Sequence, residues 1–180
     1  LLILRSMYPS LKIKNKSESH DSFVLENALK SSSNLKDINH AGTSMRFLTA
    51  FYSILEDKEI IIKGSKRMHE RPIYPLIDSL KLIGADISYL EKDGFPPIRI
   101  KGKKLNFKKV QISSNVSSQF VSAILLVAPK LNGGLVIELK GELISKPYIQ
   151  MTLSLLNDLG IKTSFKGKLI TVENLEEIQE

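Results

Sequence analysis

The sequence has no cysteine, no tryptophan and only three histidines. Without cysteine there can be no disulfide, thiolate nucleophile or thiolate-bound zinc. His20, His40 and His69 share no metal-ligand spacing, so no metal site is expected. No apolar run approaches the roughly 18 residues that read as a membrane-spanning helix, so no membrane partner is expected. The opening stretch, Leu1-Leu2-Ile3-Leu4-Arg5, is too short for a signal peptide and lacks a basic n-region. These absences together fit a cytoplasmic protein. Aromatic residues make up 7% of the chain, which leaves few side chains on which bases could stack.

What is present suits one compact domain, or two small ones: 180 residues, 42% of them hydrophobic. The formal net charge of +7 is compatible with nucleic acid, an anionic membrane surface or acidic small substrates. The lysines are dispersed, and the densest group, Lys103-Lys104 to Lys108-Lys109, reads as a solvated hairpin. Dispersed charge without interleaved aromatics argues against a nucleic-acid partner.

An internal repeat organises the chain. The strand-like segment Lys58–Gly64 resembles Gly134–Gly141, and Gly64 and Gly141 lie 77 residues apart. Each is followed by a loop ending in a basic residue and proline, Arg71-Pro72 and Lys146-Pro147. An apolar helix then ends on Gly84 or Gly160, where glycine suits a left-handed C-cap. Hairpins follow at Asp86–Leu90 with Ile98–Lys101, and at Lys162–Phe165 with Leu169–Val172. Helices over Thr43–Leu55 and Ser117–Ala128 precede the two strands, with apolar residues at helical spacing. The expected unit is therefore helix, strand, helix, hairpin. An incomplete third copy would hold a helix at Leu1–Met7, a strand at Leu11–Lys14, a helix at Ser22–Leu29 and a shortened hairpin around Leu35–Ile38. Its missing beginning suggests a chain cut from a longer one, and residues 1–180 read as a single α/β domain.

Four clusters fall at the expected helix starts. His40-Ala41-Gly42-Thr43-Ser44-Met45-Arg46 places a glycine where backbone N–H groups and the helix dipole favour an anion. It also reads as a plain N-cap by Thr43. Lys66-Arg67-Met68-His69-Glu70-Arg71-Pro72 offers planar guanidinium forks for carboxylate or phosphate, with Pro72 setting Arg71 just before a helix. It also reads as a surface ion pair with Glu70. Asn115-Val116-Ser117-Ser118-Gln119 offers neutral donors for phosphate or hydroxyls, or a serine cap. Ser145-Lys146-Pro147-Tyr148 offers a hydroxyl, a cation and a phenol, or a turn. Recurrence at equivalent positions favours one shared ligand surface over four unrelated caps.

These motifs resemble the 5-enolpyruvylshikimate-3-phosphate synthase family (3-phosphoshikimate 1-carboxyvinyltransferases), particularly its Bacteroidetes-related branch. Ala41-Gly42-Thr43-Ser44-Met45-Arg46 looks like the family's A-G-T-x-M-R segment, and Arg67–Ile73 like R-M-x-E-R-P-I. Pro96-Pro97, Ser117-Ser118-Gln119-Phe120 and Ser145-Lys146-Pro147-Tyr148 follow in family order. The resemblance implies an enolpyruvyl transferase-like, inside-out α/β domain with helices inward and sheets outside, paired in the full enzyme with a second similar domain. It implies that Ser117, Ser118, Gln119, Ser145 and Tyr148 bind shikimate 3-phosphate. It implies that Gly42, Arg71 and Gln119 bind phosphoenolpyruvate, where glyphosate also binds, with Arg46 and Arg67 in support. His40 departs from the Asn or Asp of many relatives. The resemblance further implies a monomer without cofactor, whose proton-transfer residues lie outside this chain, so that the chain alone is inactive. The sister transferase acting on UDP-N-acetylglucosamine typically carries a cysteine on a loop of this domain, and this chain has none.

Overall fold

A computed structural model describes residues 1–105, 109–113, 117–141 and 146–178. In chain order the elements are α1 (Leu2–Met7), α2 (His20–Lys30), β1 (Leu35–Asp37), α3 (Gly42–Ser53), β2 (Glu59–Lys63), α4 (Lys66–His69), α5 (Tyr74–Leu82), β3 (Asp86–Tyr89) and β4 (Ile98–Lys101). They continue with β5 (Lys109–Ser113), α6 (Ser118–Val127), β6 (Leu135–Lys140), α7 (Lys146–Asp158), β7 (Thr163–Lys166) and β8 (Leu169–Val172).

Two four-stranded sheets share one topology, β1-β2-β4-β3 and β5-β6-β8-β7. In each, the first pair is parallel and the rest antiparallel. Residues alternate along the strands, so Ile60 and Ile62, Ile98 and Ile100, and Leu135, Ile137 and Leu139 turn inward onto helices. The opposite faces carry the charged residues. Helices thus form the interior and sheets the outside.

The centre is α6. Every residue from Phe120 to Val127 is buried, as expected of a helix that is apolar all round. It packs against α3, α5 and α7. Helix α3 is almost as buried yet carries hydroxyls. Thr49 and Ser53 donate back to the carbonyls of Met45 and Thr49, at 2.7 and 2.6 Å, so these two buried hydroxyls are satisfied within the helix.

The repeat extends to helix termination. Gly84 and Gly160 have φ of 105° and 81°. The following residues, Ala85 and Ile161, donate to Leu80 and Leu156 carbonyls, both at 3.0 Å. That is the same C-terminal motif twice.

Three expectations require correction. Residues Leu11–Lys14 are irregular and lie outside both sheets. Leu35–Asp37 is no hairpin but a single strand beside β2. The basic stretch is not a hairpin either: Lys109–Ser113 pairs in parallel with β6, while 106–108 lie outside the described residues. In β5, Val110 and Ile112 point inward and Lys109 and Gln111 outward. Lysine density hid this alternation. The unit is therefore strand, helix, strand, helix, hairpin, and β1 opens the first full unit rather than closing a third. The incomplete copy consists of α1 and α2 packed on α3, with no sheet of its own among the described residues.

Candidate functional site

Helix α3 begins at Gly42 without any side-chain cap, so Thr43 is not the N-cap. Gly42 leaves room for a close approach. A Cβ there would lie 2.5 Å from Arg71 Nη1 and 2.8 Å from Arg46 Nη1. Two guanidinium groups therefore converge on one backbone position. Arg46 is buried, donates to the Gly42 carbonyl at 2.7 Å, and rests 5.4 Å from the centre of the Phe120 ring. Burial, and then the like charge of Arg71, lower its pKa to about 10. Its Nε finds no hydrogen-bond partner among the described residues. Arg46 thus builds the wall of the site, and Arg71 stands exposed in front of it.

Arg71 is not placed as expected. It lies between α4 and α5, and α5 begins at Tyr74 with Pro75, not Pro72, in its first turn. The backbone N–H of Arg71 donates to the Met68 carbonyl at 3.1 Å, which fixes it just after α4. No ion pair joins Glu70 to Arg67 or Arg71 among the described residues. His40, Arg67, Met68 and Arg71 line an open cleft of about 620 Å³ that holds no carboxylate. His40 is held by Ser65, whose Oγ lies 2.8 Å from its Nδ1 and which also caps α4. Ser65 was not foreseen as a partner of His40. Its place before a basic run marks a cap, but nothing local reveals that His40 lies beside it.

The third cluster is joined to the first. Gln119 Nε2 donates to Thr43 Oγ1 at 3.2 Å, which ties the start of α6 to the start of α3. Thr43 was not singled out for this role. Ser117 caps α6 by accepting from the Gln119 N–H at 3.3 Å, so the capping reading holds for this residue. Ser117 is exposed, while Ser118 and Gln119 are half-buried.

The fourth cluster joins through a buried contact. Ser122 and Thr152 hydroxyls lie 2.8 Å apart, and Thr152 Oγ1 lies 3.1 Å from the Tyr148 carbonyl. Ser122 is one turn after Ser118, and Thr152 is one turn after Tyr148. This bond therefore sets the first turns of α6 and α7 side by side. Tyr148 is 62% exposed there, so its phenol faces solvent. Ser145 and Asn115 lie outside the described residues.

The starts of α3, α6 and α7, with the turn after α4, thus share one surface. Part of it is cationic, from Arg67 and Arg71, and part offers neutral donors, from Ser117, Ser118, Gln119 and Tyr148. Such a surface can orient a small molecule bearing several anionic and hydroxyl groups.

The family model for EPSP synthase (3-phosphoshikimate 1-carboxyvinyltransferase) matches residues 1–180. The chain belongs to the EPSP synthase family. It is 42% identical over 153 residues to a 3-phosphoshikimate 1-carboxyvinyltransferase of Bacteroides fragilis, covering 85% of this chain and 37% of the relative. It is 46% identical over 127 residues to the Haemophilus influenzae protein of the same name, covering 69% of this chain and 29% of the relative. Among solved structures, EPSP synthase from Acinetobacter baumannii superposes with a TM-score of 0.80 at 18% identity. That match covers 98% of this chain and 45% of the other, and establishes the shared EPSP synthase domain fold. The chain spans only about a third of the length of these curated relatives.

Proposed function

We propose that this chain is the phosphoshikimate-binding part of an enzyme that transfers the enolpyruvyl group of phosphoenolpyruvate to the 5-hydroxyl of shikimate 3-phosphate. The observation that carries the reading is the convergence of Gly42, Arg71 and Gln119. A guanidinium fork sits against a side-chain-free helix start, and an amide ties that start to a second one. In the proposed site Arg71 grips the phosphoenolpyruvate carboxylate or phosphate, with Gly42 and Gln119 beside it. Ser117, Ser118, Gln119, Ser145 and Tyr148 hold shikimate 3-phosphate.

In this reaction the 5-hydroxyl gives its proton to a base and its oxygen bonds to C2 of phosphoenolpyruvate, while the C2–C3 double bond opens and C3 gains a proton from an acid. The tetrahedral adduct then loses phosphate from C2 and a proton from C3, restoring the double bond. Preorganised cations offset the charge gathered in the site. The proton transfers need an acid and a base, which this reading places on other parts of the enzyme. It also makes the protein a cytoplasmic monomer completed by a second domain of its own chain, with no nucleic-acid partner.

Titration of the chain with shikimate 3-phosphate, followed by amide NMR shifts, tests the site. Saturable shifts at Ser118, Gln119 and Tyr148 are expected, together with weaker binding of phosphoenolpyruvate and no phosphate release from the two substrates. Tighter phosphoenolpyruvate binding, or silence of both Ser118 and Tyr148, would overturn the assignment.

A further inference from the structure

A second cationic cleft lies at the opposite end of α3. A helix of 12 residues spans roughly 18 Å, so this cleft is well removed from Gly42. It encloses about 590 Å³ between the end of α1, the Ser31–Lys36 segment, the end of α3 and the start of β2. Arg5, Lys36 and Lys58 line it, and no carboxylate does. Glu56, Asp57 and Glu59 flank Lys58 in sequence but do not line the cleft, and Glu59 pairs outward with Arg99 at 3.4 Å.

Lys36 distinguishes this cleft from a scatter of surface lysines. It is 3% exposed, donates to the Ser31 carbonyl at 2.7 Å, and lies 5.6 Å from the centre of the Tyr52 ring. A buried ammonium normally sits opposite a carboxylate, and none of the described ion pairs includes Lys36, Arg5 or Lys58. Burial, and then the nearby charge of Lys58, lower the Lys36 pKa.

The serines complete the arrangement. Ser31 Oγ accepts from the Ser33 N–H at 3.2 Å, and Ser33 Oγ accepts from the Leu35 N–H at 3.1 Å. Both hydroxyl oxygens are thus used as acceptors, which leaves their O–H protons to donate. Three cations and two oriented hydroxyls form a donor set with no acidic member, the chemistry that recognises an oxyanion.

We propose that this cleft binds a small phosphate-bearing metabolite, held by Lys36, Lys58 and Arg5 with Ser31 and Ser33 as neutral donors. It is a site separate from the substrate surface, and it stands whether or not the enolpyruvyl-transfer reading does. Occupancy would tie α1 to the strand pair β1 and β2, and β1 leads directly into His40 and Gly42.

The test is titration of the full chain with inorganic phosphate and with pyrophosphate, followed by amide shifts of Ser32, Asn34 and Lys58. Saturable shifts are expected, with pyrophosphate binding tighter. Arg5 and Lys58 are exposed, so Lys58→Gln and Arg5→Gln should stay folded. Each should weaken binding about tenfold, the loss of one charge-assisted contact. Arg71→Gln should leave these shifts unchanged while removing any phosphate response around Gly42. Shifts that never saturate, that survive both Lys58→Gln and Arg5→Gln, or that vanish with Arg71→Gln would overturn the proposal. Acetate binding as well as phosphate would mean a nonspecific cationic surface and would overturn it too.

Discussion

The two full units, Leu35–Lys101 and Lys109–Val172, share strand order, strand directions and helix-ending motif, yet their helix starts differ in chemistry. The first presents Gly42, Arg46, Arg67 and Arg71, and two of these arginines crowd a single glycine. The second presents neutral donors, Ser117, Ser118, Gln119 and Tyr148, beside a single cation, Lys146, at the first residue of α7. A duplicated scaffold repeats its core because sheet-on-helix packing constrains the inward positions. Its helix starts face solvent and are free to diverge.

If the cores are equivalent, matched deletions should cost the same. Ile62 in β2 and Leu139 in β6 occupy the same place relative to Gly64 and Gly141, and both are buried. Ile62→Ala and Leu139→Ala should each destabilise the fold by about 2–5 kcal/mol. Urea unfolding of both variants measures this. A large loss in one and almost none in the other would break the structural equivalence.

If the surfaces differ in charge, a change at Arg71 should be felt by only one substrate. Arg71→Lys keeps the charge but loses the planar fork. It should weaken phosphoenolpyruvate binding by about 1.5–3 kcal/mol, at least tenfold, with shikimate 3-phosphate binding nearly unchanged. Calorimetric titration with each ligand decides it, and equal losses for both would merge the two half-sites into one.

The contact between the second unit's own helix starts can be tested more gently. Ser122→Ala removes the hydroxyl facing Thr152, at a stability cost of about 0.5–1.5 kcal/mol. It should also weaken the NMR response of Tyr148 to shikimate 3-phosphate, because the first turn of α7 loses its tether to α6. Stability loss without any change at Tyr148 would mean that the helix starts are held apart from this bond.

The sequence discloses this architecture unevenly. The second strand, second helix and hairpin of each unit are legible, because glycine closes each helix and β-branched residues alternate between turns. The first strand of each unit is not. β1 has three residues, and only Lys36 among them turns inward, so it offers no apolar alternation. β5 alternates but is flanked by lysines. At the site, residue types announce Gly42, Arg71 and Gln119. Local spacing does not show that Ser65 would hold His40, that Gln119 would reach Thr43, or that Arg71 would follow a short helix instead of starting one. The first two contacts join residues 25 and 76 apart, a tertiary fact.

The smallest effect concerns the incomplete copy, where α2 has no sheet behind it. Glu26 on α2 is instead held by Lys16 from the preceding irregular segment and by Lys30 one turn on, at 2.9 Å from the latter. Hydrogen bonds from Lys16 and then Lys30 depress its carboxyl pKa from 4.5 to about 2. A carboxyl whose pKa is lower in the folded state contributes its stability above the unfolded value. That contribution should be intact above about pH 4.5 and should fade as pH falls towards 2. Exposed ion pairs of this kind are weak and screened by salt, so the change should be slight and smaller in high salt. Glu26→Gln should flatten this part of the stability curve without altering either full unit, as seen in melting temperatures across the acid range. An acid profile unchanged by Glu26→Gln would mean that α2 is held by its apolar contacts with α3 alone. The incomplete copy would then resemble the full units more than its missing sheet suggests.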